Sequence, residues 1–147
     1  MATLLGFDYG TRKIGIAVGQ TVSGTASALT TVRARGQKPD WKRIEGIIRE
    51  WQPDAVVLGL PMRMDDTEED WTDRVRRFAR QLEGRFGLAV YLVDERLTTL
   101  QAESDLGVRD AGADDRVDAW AAKLILETWL GSHATDAMAA EPRRPAE

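Results

Sequence analysis

The sequence has no cysteine and a single histidine, His133, in 147 residues. The absence of cysteine excludes disulfide bonds and thiolate metal sites, and it is typical of the reducing cytoplasm, where we expect this protein. A lone histidine near the C-terminal end argues against a histidine-rich metal site and against a serine–histidine triad. The chemistry of this chain must therefore use carboxylates, hydroxyls and basic groups.

Long hydrophobic runs are absent as well. Hydrophobic residues make up 43% of the sequence, but no apolar stretch is long enough to span a bilayer. Because Met1-Ala2 leads directly into a short apolar segment, we expect no signal peptide and no membrane partner. The length predicts one domain, residues 1–132, and the composition of residues 133–147 predicts a disordered tail.

Acidic residues are scarce in the first part of the chain. Residues 1–63 carry 9 Lys/Arg and 5 Asp/Glu, a net charge of +4, whereas residues 64–147 carry 11 and 19, a net charge of −8. A basic first part could offer a phosphate-binding face, but on charge alone we prefer an ordinary solvated surface.

The hydrophobic pattern alternates between short apolar runs and amphipathic segments. The apolar runs predict five strands, at Thr3–Tyr9, Ile14–Gly19, Thr25–Arg33, Ala55–Leu60 and Leu88–Asp94. Helical spacing predicts helices at Trp41 to about Trp51, around Trp71 to Phe86, and at about Asp115 to Leu130. Short connections make the first strands antiparallel, and helical crossovers make the later strands parallel to the first. The predicted fold class is α/β, with a five-stranded mixed sheet flanked by helices.

Three acidic positions stand out in this pattern. Asp8 lies in a strand that looks buried, where a carboxylate is costly unless a cation or hydrogen-bond donors compensate it. Either Asp8 caps the following turn or it has a functional role. Asp94-Glu95 closes the last strand, at the sheet edge where active sites of α/β folds gather, and the pleat turns only one of the two acids to a given face.

The third acid, Asp118, shares a helix face with small and apolar residues, at positions 121, 122, 125 and 129. Acids are rare on such a face, although Asp118 could simply meet the helix dipole. Three acids at one sheet edge would repel one another unless cations lay between them. Oxygen ligands without cysteine or a usable histidine favour Mg²⁺ or Mn²⁺, and a pair of such ions supports phosphodiester cleavage.

Five short motifs carry a resemblance to a known family. They are Gly6-Phe7-Asp8-Tyr9-Gly10-Thr11, Ile14-Gly15-Ile16-Ala17, Gly59-Leu60-Pro61, Asp94-Glu95-Arg96-Leu97-Thr98-Thr99, and Asp118 ahead of Ala121-Ala122. In this order, over about residues 3 to 130, the chain resembles the YqgF/RuvX family. The resemblance implies a ribonuclease H-like fold and a metal-dependent nuclease. The family was first linked to Holliday junction resolution and is now usually assigned to maturation of the 5′ end of 16S ribosomal RNA.

The resemblance also implies roles for individual residues. Asp8, Glu95 and Asp118 match the catalytic acids and metal ligands, which favours Glu95 over Asp94. Basic residues beside these motifs are predicted to bind the nucleic-acid backbone: Arg12, Lys13, Arg63 and Arg96. The expected partners are precursor rRNA, with branched DNA as an alternative, and ribosomal particles, for a chain that is a monomer or a weak homodimer.

Two further function classes remain open at the level of sequence. Asp8-Tyr9-Gly10-Thr11 also resembles the phosphate-binding hairpin of actin-like and sugar kinases, which enclose a nucleotide between two domains. A chain of 147 residues has room for only one domain, which argues against a phosphotransferase. A nucleic-acid-binding factor without catalysis is the second alternative, and the presence of all three acids argues against it.

Overall fold

The computed structural model describes residues 2–10, 12–35, 38–61, 68–95, 104–107 and 115–139. Within them, the strands are β1 (Thr3–Asp8), β2 (Lys13–Gln20), β3 (Thr25–Arg35), β4 (Lys38–Pro39), β5 (Ala55–Pro61) and β6 (Ala89–Glu95). The helices are α1 (Trp41–Trp51), α2 (Glu68–Phe86) and α3 (Asp115–Ala139), with a short helical turn at residues 104–106.

The described strands form one mixed sheet in the order β4-β3-β2-β1-β5-β6. The pairs β1/β2, β2/β3 and β3/β4 are antiparallel, whereas β1/β5 and β5/β6 are parallel. The predicted α/β class, with an antiparallel side and a parallel side, is therefore confirmed. In this arrangement β1, β5 and β6 end at the same edge of the sheet.

The predicted count of five strands is wrong, because the described residues contain six. The additional strand, β4, pairs Ala34 with Pro39 and Arg35 with Lys38. Two residues are too few to show the alternation that identifies a strand in a sequence. Proline lacks a backbone N–H and is tolerated there because β4 lies at the edge of the sheet.

One face of the sheet packs against α1 and α2. Leu5 and Phe7 of β1 are fully buried on this face, where they join the core cluster that includes Ile44 of α1 and Phe78 of α2. The predicted start of α1 is confirmed, because the Asp40 carboxylate accepts a hydrogen bond from the backbone N–H of Arg43 at 3.1 Å. This bond satisfies one of the N–H groups that a helix start leaves without an intrahelical partner.

The opposite face packs against α3. Its core includes Leu4 of β1, Val57 of β5 and, from α3, Ile125 and Leu126. The helix lies close to the sheet because glycine occupies the strand position beneath it. A Cβ added to Gly6 would lie 2.8 Å from the Cβ of Leu126, closer than real side chains pack.

The end of α3 differs from the prediction. The sequence predicts an end near Leu130, at Gly131-Ser132, but the helix continues to Ala139. Glycine in a helix interior costs only about 1 kcal/mol relative to alanine, so Gly131 alone does not end a helix. The first residues of the predicted tail are therefore helical, and residues 140–147 lie outside the described part of the chain. None of the helices in the described residues is long and apolar enough to cross a membrane.

Candidate active site at the end of β1

Asp8 is the last residue of β1, and its position follows from the alternation along the strand. Leu5 and Phe7 face α1 and α2, so Gly6 and Asp8 face α3. The cross-strand partner of Asp8 is Gly15 of β2. Cross-strand partners lie on the same face of a sheet, so Gly15 also faces α3.

The first turns of α3 rest directly on Gly15. A Cβ added to Gly15 would overlap the backbone carbonyl of Asp118 and would also meet the backbone nitrogen of Ala119. Gly15 is the cross-strand partner of Asp8. The contact therefore places the backbone of Asp118 over the same part of the sheet face as Asp8. The structure thus brings together two of the three predicted acids.

Lys13 completes the described part of this site. It begins β2, two residues before Gly15, and its Nζ lies 3.3 Å from Oδ2 of Asp118. The Lys13 side chain is only 11% exposed and that of Asp118 21%, so the ion pair is largely shielded from solvent. The lysine was expected to bind the nucleic-acid backbone, and that role stays a prediction; the structure adds a contact with a predicted catalytic acid.

Glu95 is the last residue of β6, and its backbone pairs with Pro61 of β5. Residues 89, 91 and 93 of β6 pack against the core beneath α3, and position 95 is the next in this two-residue series. Position 94 belongs to the other series. The side chain of Glu95 lies outside the described part of the chain, so its role stays a prediction.

The remaining predicted backbone-binding residues divide into two groups. Arg12 is exposed, in the connection between β1 and β2, and its backbone carbonyl accepts a hydrogen bond from the N–H of Ala34 at 2.8 Å. Arg63 and Arg96 lie outside the described residues. The three assignments therefore remain predictions.

The donors at this edge fit a hard divalent cation. Asp8 and Asp118 supply carboxylate oxygens, which Mg²⁺ and Mn²⁺ prefer, and no competing thiolate exists in the chain. Among the side chains that the structure describes, no group of three acids or histidines is placed to hold a metal ion. Glu95, the third expected ligand, is not among those side chains.

Two features of the site were not foreseen from the sequence. The ion pair between Lys13 and Asp118 joins residues that are far apart in the chain, and no local pattern signals it. The close approach at Gly15 had a signal, because a glycine inside an apolar strand often marks a place where another backbone comes near. Gly10, just after the end of β1, does not have a positive φ, but a Cβ added there would lie 2.6 Å from the Lys13 carbonyl oxygen.

Comparison with protein families identifies the chain. Residues 2–132 match the family described as RuvX, Holliday junction resolvase. The chain belongs to the RuvX family. The resemblance that the motifs carry is thereby confirmed over nearly the whole domain.

Relatives of this RuvX chain are similar over most of their length. A protein of Pseudomonas aeruginosa strain PAO1 named "Putative pre-16S rRNA nuclease" is 51% identical over 133 residues, covering 88% of this chain and 92% of the relative. A protein of Azotobacter vinelandii with the same name is 52% identical over 130 residues, covering 86% and 92%. A third, from Yersinia enterocolitica, is 49% identical over 138 residues, covering 90% and 96%.

Solved structures show the same fold at low sequence identity. Thermus thermophilus RuvC, solved in complex with a Holliday junction substrate, superposes on the RuvX chain with a TM-score of 0.55 at 17% identity, covering 90% of this chain and 96% of RuvC. The fowlpox virus Holliday junction resolvase gives a TM-score of 0.53 at 13% identity, covering 88% and 99%. These similarities confirm the ribonuclease H-like fold that the resemblance implied.

Proposed function

We propose that this RuvX-family chain is a metal-dependent endonuclease that hydrolyses phosphodiester bonds during maturation of the 5′ end of precursor 16S rRNA. The observation that carries the proposal is the contact of Gly15 with the Asp118 backbone, which brings Asp118 to the row of Asp8. The choice of substrate is supported by the name of relatives that are about half identical over 88% of the chain.

The mechanism that we propose uses carboxylate oxygens as ligands of a divalent metal ion. Asp8, Glu95 and Asp118 would hold the cation, with Mg²⁺ or Mn²⁺ as the metal. A pair of such ions, when bound, activates a water molecule and stabilises the leaving oxygen of a phosphodiester. Since the described site has no histidine or cysteine to serve as a nucleophile, we propose direct hydrolysis without a covalent enzyme intermediate.

The chain positions these groups through rigid elements. Asp8 lies in a strand paired on both sides, and Asp118 lies in a helix held by backbone contact with that sheet. Sites on such elements keep their geometry better than sites on loops, and preorganised charges contribute most to catalysis when they need not move. The Lys13 ammonium supplies a positive charge beside Asp118.

A second candidate function is resolution of branched DNA, and the description of the matching family favours it. A four-way junction has two-fold symmetry, so a resolvase is expected to act as a symmetric dimer. Processing of rRNA needs no such symmetry, and for that function we propose a monomer or a weak homodimer that acts in the cytoplasm on ribosomal particles.

A substrate panel tests the proposal. The purified chain is incubated with a precursor 16S 5′ segment, an unstructured RNA, a four-way DNA junction and ATP, each with Mn²⁺, with Mg²⁺ and with EDTA. Metal-dependent cleavage inside the precursor segment supports the proposal, and preferred cleavage of the junction supports the resolvase. Binding without cleavage would overturn both in favour of a non-catalytic factor, and ATP hydrolysis alone would favour a phosphotransferase.

A further inference from the structure

The strand β3 extends beyond the end of its neighbour β2. Arg33 pairs with Lys13, the first residue of β2, and the strand then continues to Arg35. The N–H of Ala34 donates to the Arg12 carbonyl at 2.8 Å, and Arg35 pairs with Lys38 of β4. This extension projects from the sheet edge at which Asp8 lies.

The register fixes which face of the sheet carries these basic residues. Val32 is buried with its partner Ile14 in the core beneath α1 and α2. Successive side chains of a strand point to opposite faces, so Arg33 and Lys13 lie on the α3 face. Arg35 is two residues further along β3 and therefore lies on the same face, as does its cross-strand partner Lys38.

Arg33, Arg35 and Lys38 are all exposed, and we call these three residues the basic strip. Two residues along a strand span about 7 Å, a length over which one strand of a nucleic-acid duplex carries about two phosphates. The first residue of the strip, Arg33, is the cross-strand partner of Lys13, and Lys13 pairs with Asp118. The strip therefore begins next to the candidate active site.

The charge around the strip has one sign. Between Asp8 and Asp40 the sequence contains no acidic residue and five basic ones, namely Arg12, Lys13, Arg33, Arg35 and Lys38. In a protein with a net charge of −4, such a segment is the natural place for a polyanion to bind. A row of cations along a strand pair matches an extended phosphate backbone better than it matches a small anion, which needs converging donors.

We propose that the basic strip binds the sugar–phosphate backbone of the nucleic acid on one side of the scissile phosphate. The identity of that nucleic acid as the substrate rests on the proposed function. The strip holds and aligns the strand as it leaves the acids at the end of β1. It makes no contact with the reacting atoms, so it contributes to binding and not to the chemical step.

The experiment compares two double variants that remove equal charge. Arg35→Gln/Lys38→Gln changes the strip, whereas Lys42→Gln/Arg76→Gln changes exposed residues of α1 and α2, on the opposite face. Fluorescence anisotropy then gives the Kd of each full-length variant for a labelled precursor 16S 5′ segment, in EDTA, at KCl from about 50 to 200 mM. Thermal unfolding of each variant confirms that both pairs of substitutions leave the fold intact.

The strip variant should bind the RNA about tenfold more weakly than the unmodified chain, and its plot of log Kd against log salt should be shallower by about 1.5, as expected for two lost phosphate contacts. The control variant should keep the original slope. Equal weakening in the two variants, or no weakening in either, would overturn the proposal.

A cleavage assay on the same variants separates this proposal from the proposed function. If both are right, the strip variant has a raised KM and an unchanged kcat. If the chain is not a nuclease, no variant cleaves, yet the strip variant still binds more weakly. If only the strip proposal is wrong, cleavage and binding by the strip variant match those of the control variant.

Discussion

The backbone of Asp118 rests on Gly15, the cross-strand partner of Asp8. A glycine with no room for a Cβ thus sets how closely α3 approaches β2, the strand that pairs with β1 at Asp8. The contact joins Gly15, near the start of the sequence, to Asp118 in the last helix. It explains how two carboxylates reach one row of the sheet without any sequence motif that joins them.

Gly15→Ala should therefore damage both the fold and the site. The added methyl group has to displace the first turns of α3, and overpacking of this kind costs about 1–3 kcal/mol. Because Asp118 moves with the helix, we expect the variant to lose metal-dependent cleavage even under conditions in which it remains folded. Urea denaturation measures the free energy of unfolding. A cleavage assay under conditions in which the variant is fully folded measures the activity that the displaced site retains.

Gly46→Ala is the matched control for Gly15→Ala. Gly46 is exposed within α1, and an added Cβ would meet nothing within 4 Å. Alanine is the better residue in a helix interior, so this variant should be more stable by about 0.5–1 kcal/mol. Equal effects of the two substitutions would contradict the argument from close packing.

Lys13→Met should destabilise the protein when no metal is available. The ammonium lies 3.3 Å from Oδ2 of Asp118 in a shielded position, and its loss removes that positive charge from beside the carboxylate. We expect a loss of about 1–3 kcal/mol in EDTA and a partial recovery when Mn²⁺ is added. Chemical denaturation in the two buffers measures both quantities.

Arg49→Met is the control for Lys13→Met. Arg49 pairs with Glu45 at 2.7 Å on the surface of α1, where the arginine side chain is 78% exposed. Exposed pairs of this kind contribute little, so the change should stay within about 0.5 kcal/mol and should not respond to Mn²⁺. If Lys13→Met behaves in the same way, the ion pair has no structural importance.

The start of α3 also contacts the short helical turn at residues 104–106. The indole N–H of Trp120 donates to Oδ2 of Asp105 at 2.9 Å, and Leu106 packs with Val117 and Ala121. Trp120→Phe should lower stability by about 0.5–1.5 kcal/mol, since the ring can still pack but the hydrogen bond is lost. A double-mutant cycle with Asp105→Ala measures the coupling, and strictly additive effects would show that the bond contributes nothing.

Much of the fold could be predicted because its signals are local. The start of α1 at Trp41, the apolar face of α1 and the buried strand β5 each show in a short window of sequence, and the structure confirms them. The strand β4 could not be predicted, because two residues have no periodicity. The end of α3 differs from the prediction because a single glycine, Gly131, carries too small a helix penalty to end the helix.

The site was predicted only as far as residue types and local pattern allow. The acids and their shared edge follow from strand ends and a helix face, so Asp8 and Asp118 could be selected. The ion pair between Lys13 and Asp118 depends on the angle and depth at which α3 packs on the sheet. The contact of the Asp118 backbone with Gly15 depends on the same packing. These are tertiary features, and the choice of Glu95 over Asp94 rests on the family resemblance alone.

Replacing each acid by its amide tests whether Asp8 and Asp118 form one metal-dependent catalytic centre. Asp8→Asn, Asp118→Asn and the exposed control Asp73→Asn are assayed for cleavage of the precursor 16S 5′ segment with Mn²⁺, and their thermal unfolding is recorded. The first two variants should lose cleavage by about a thousandfold or more while remaining folded, and the control should keep full activity. Full activity in folded Asp8→Asn or Asp118→Asn would show that the two acids do not form such a centre.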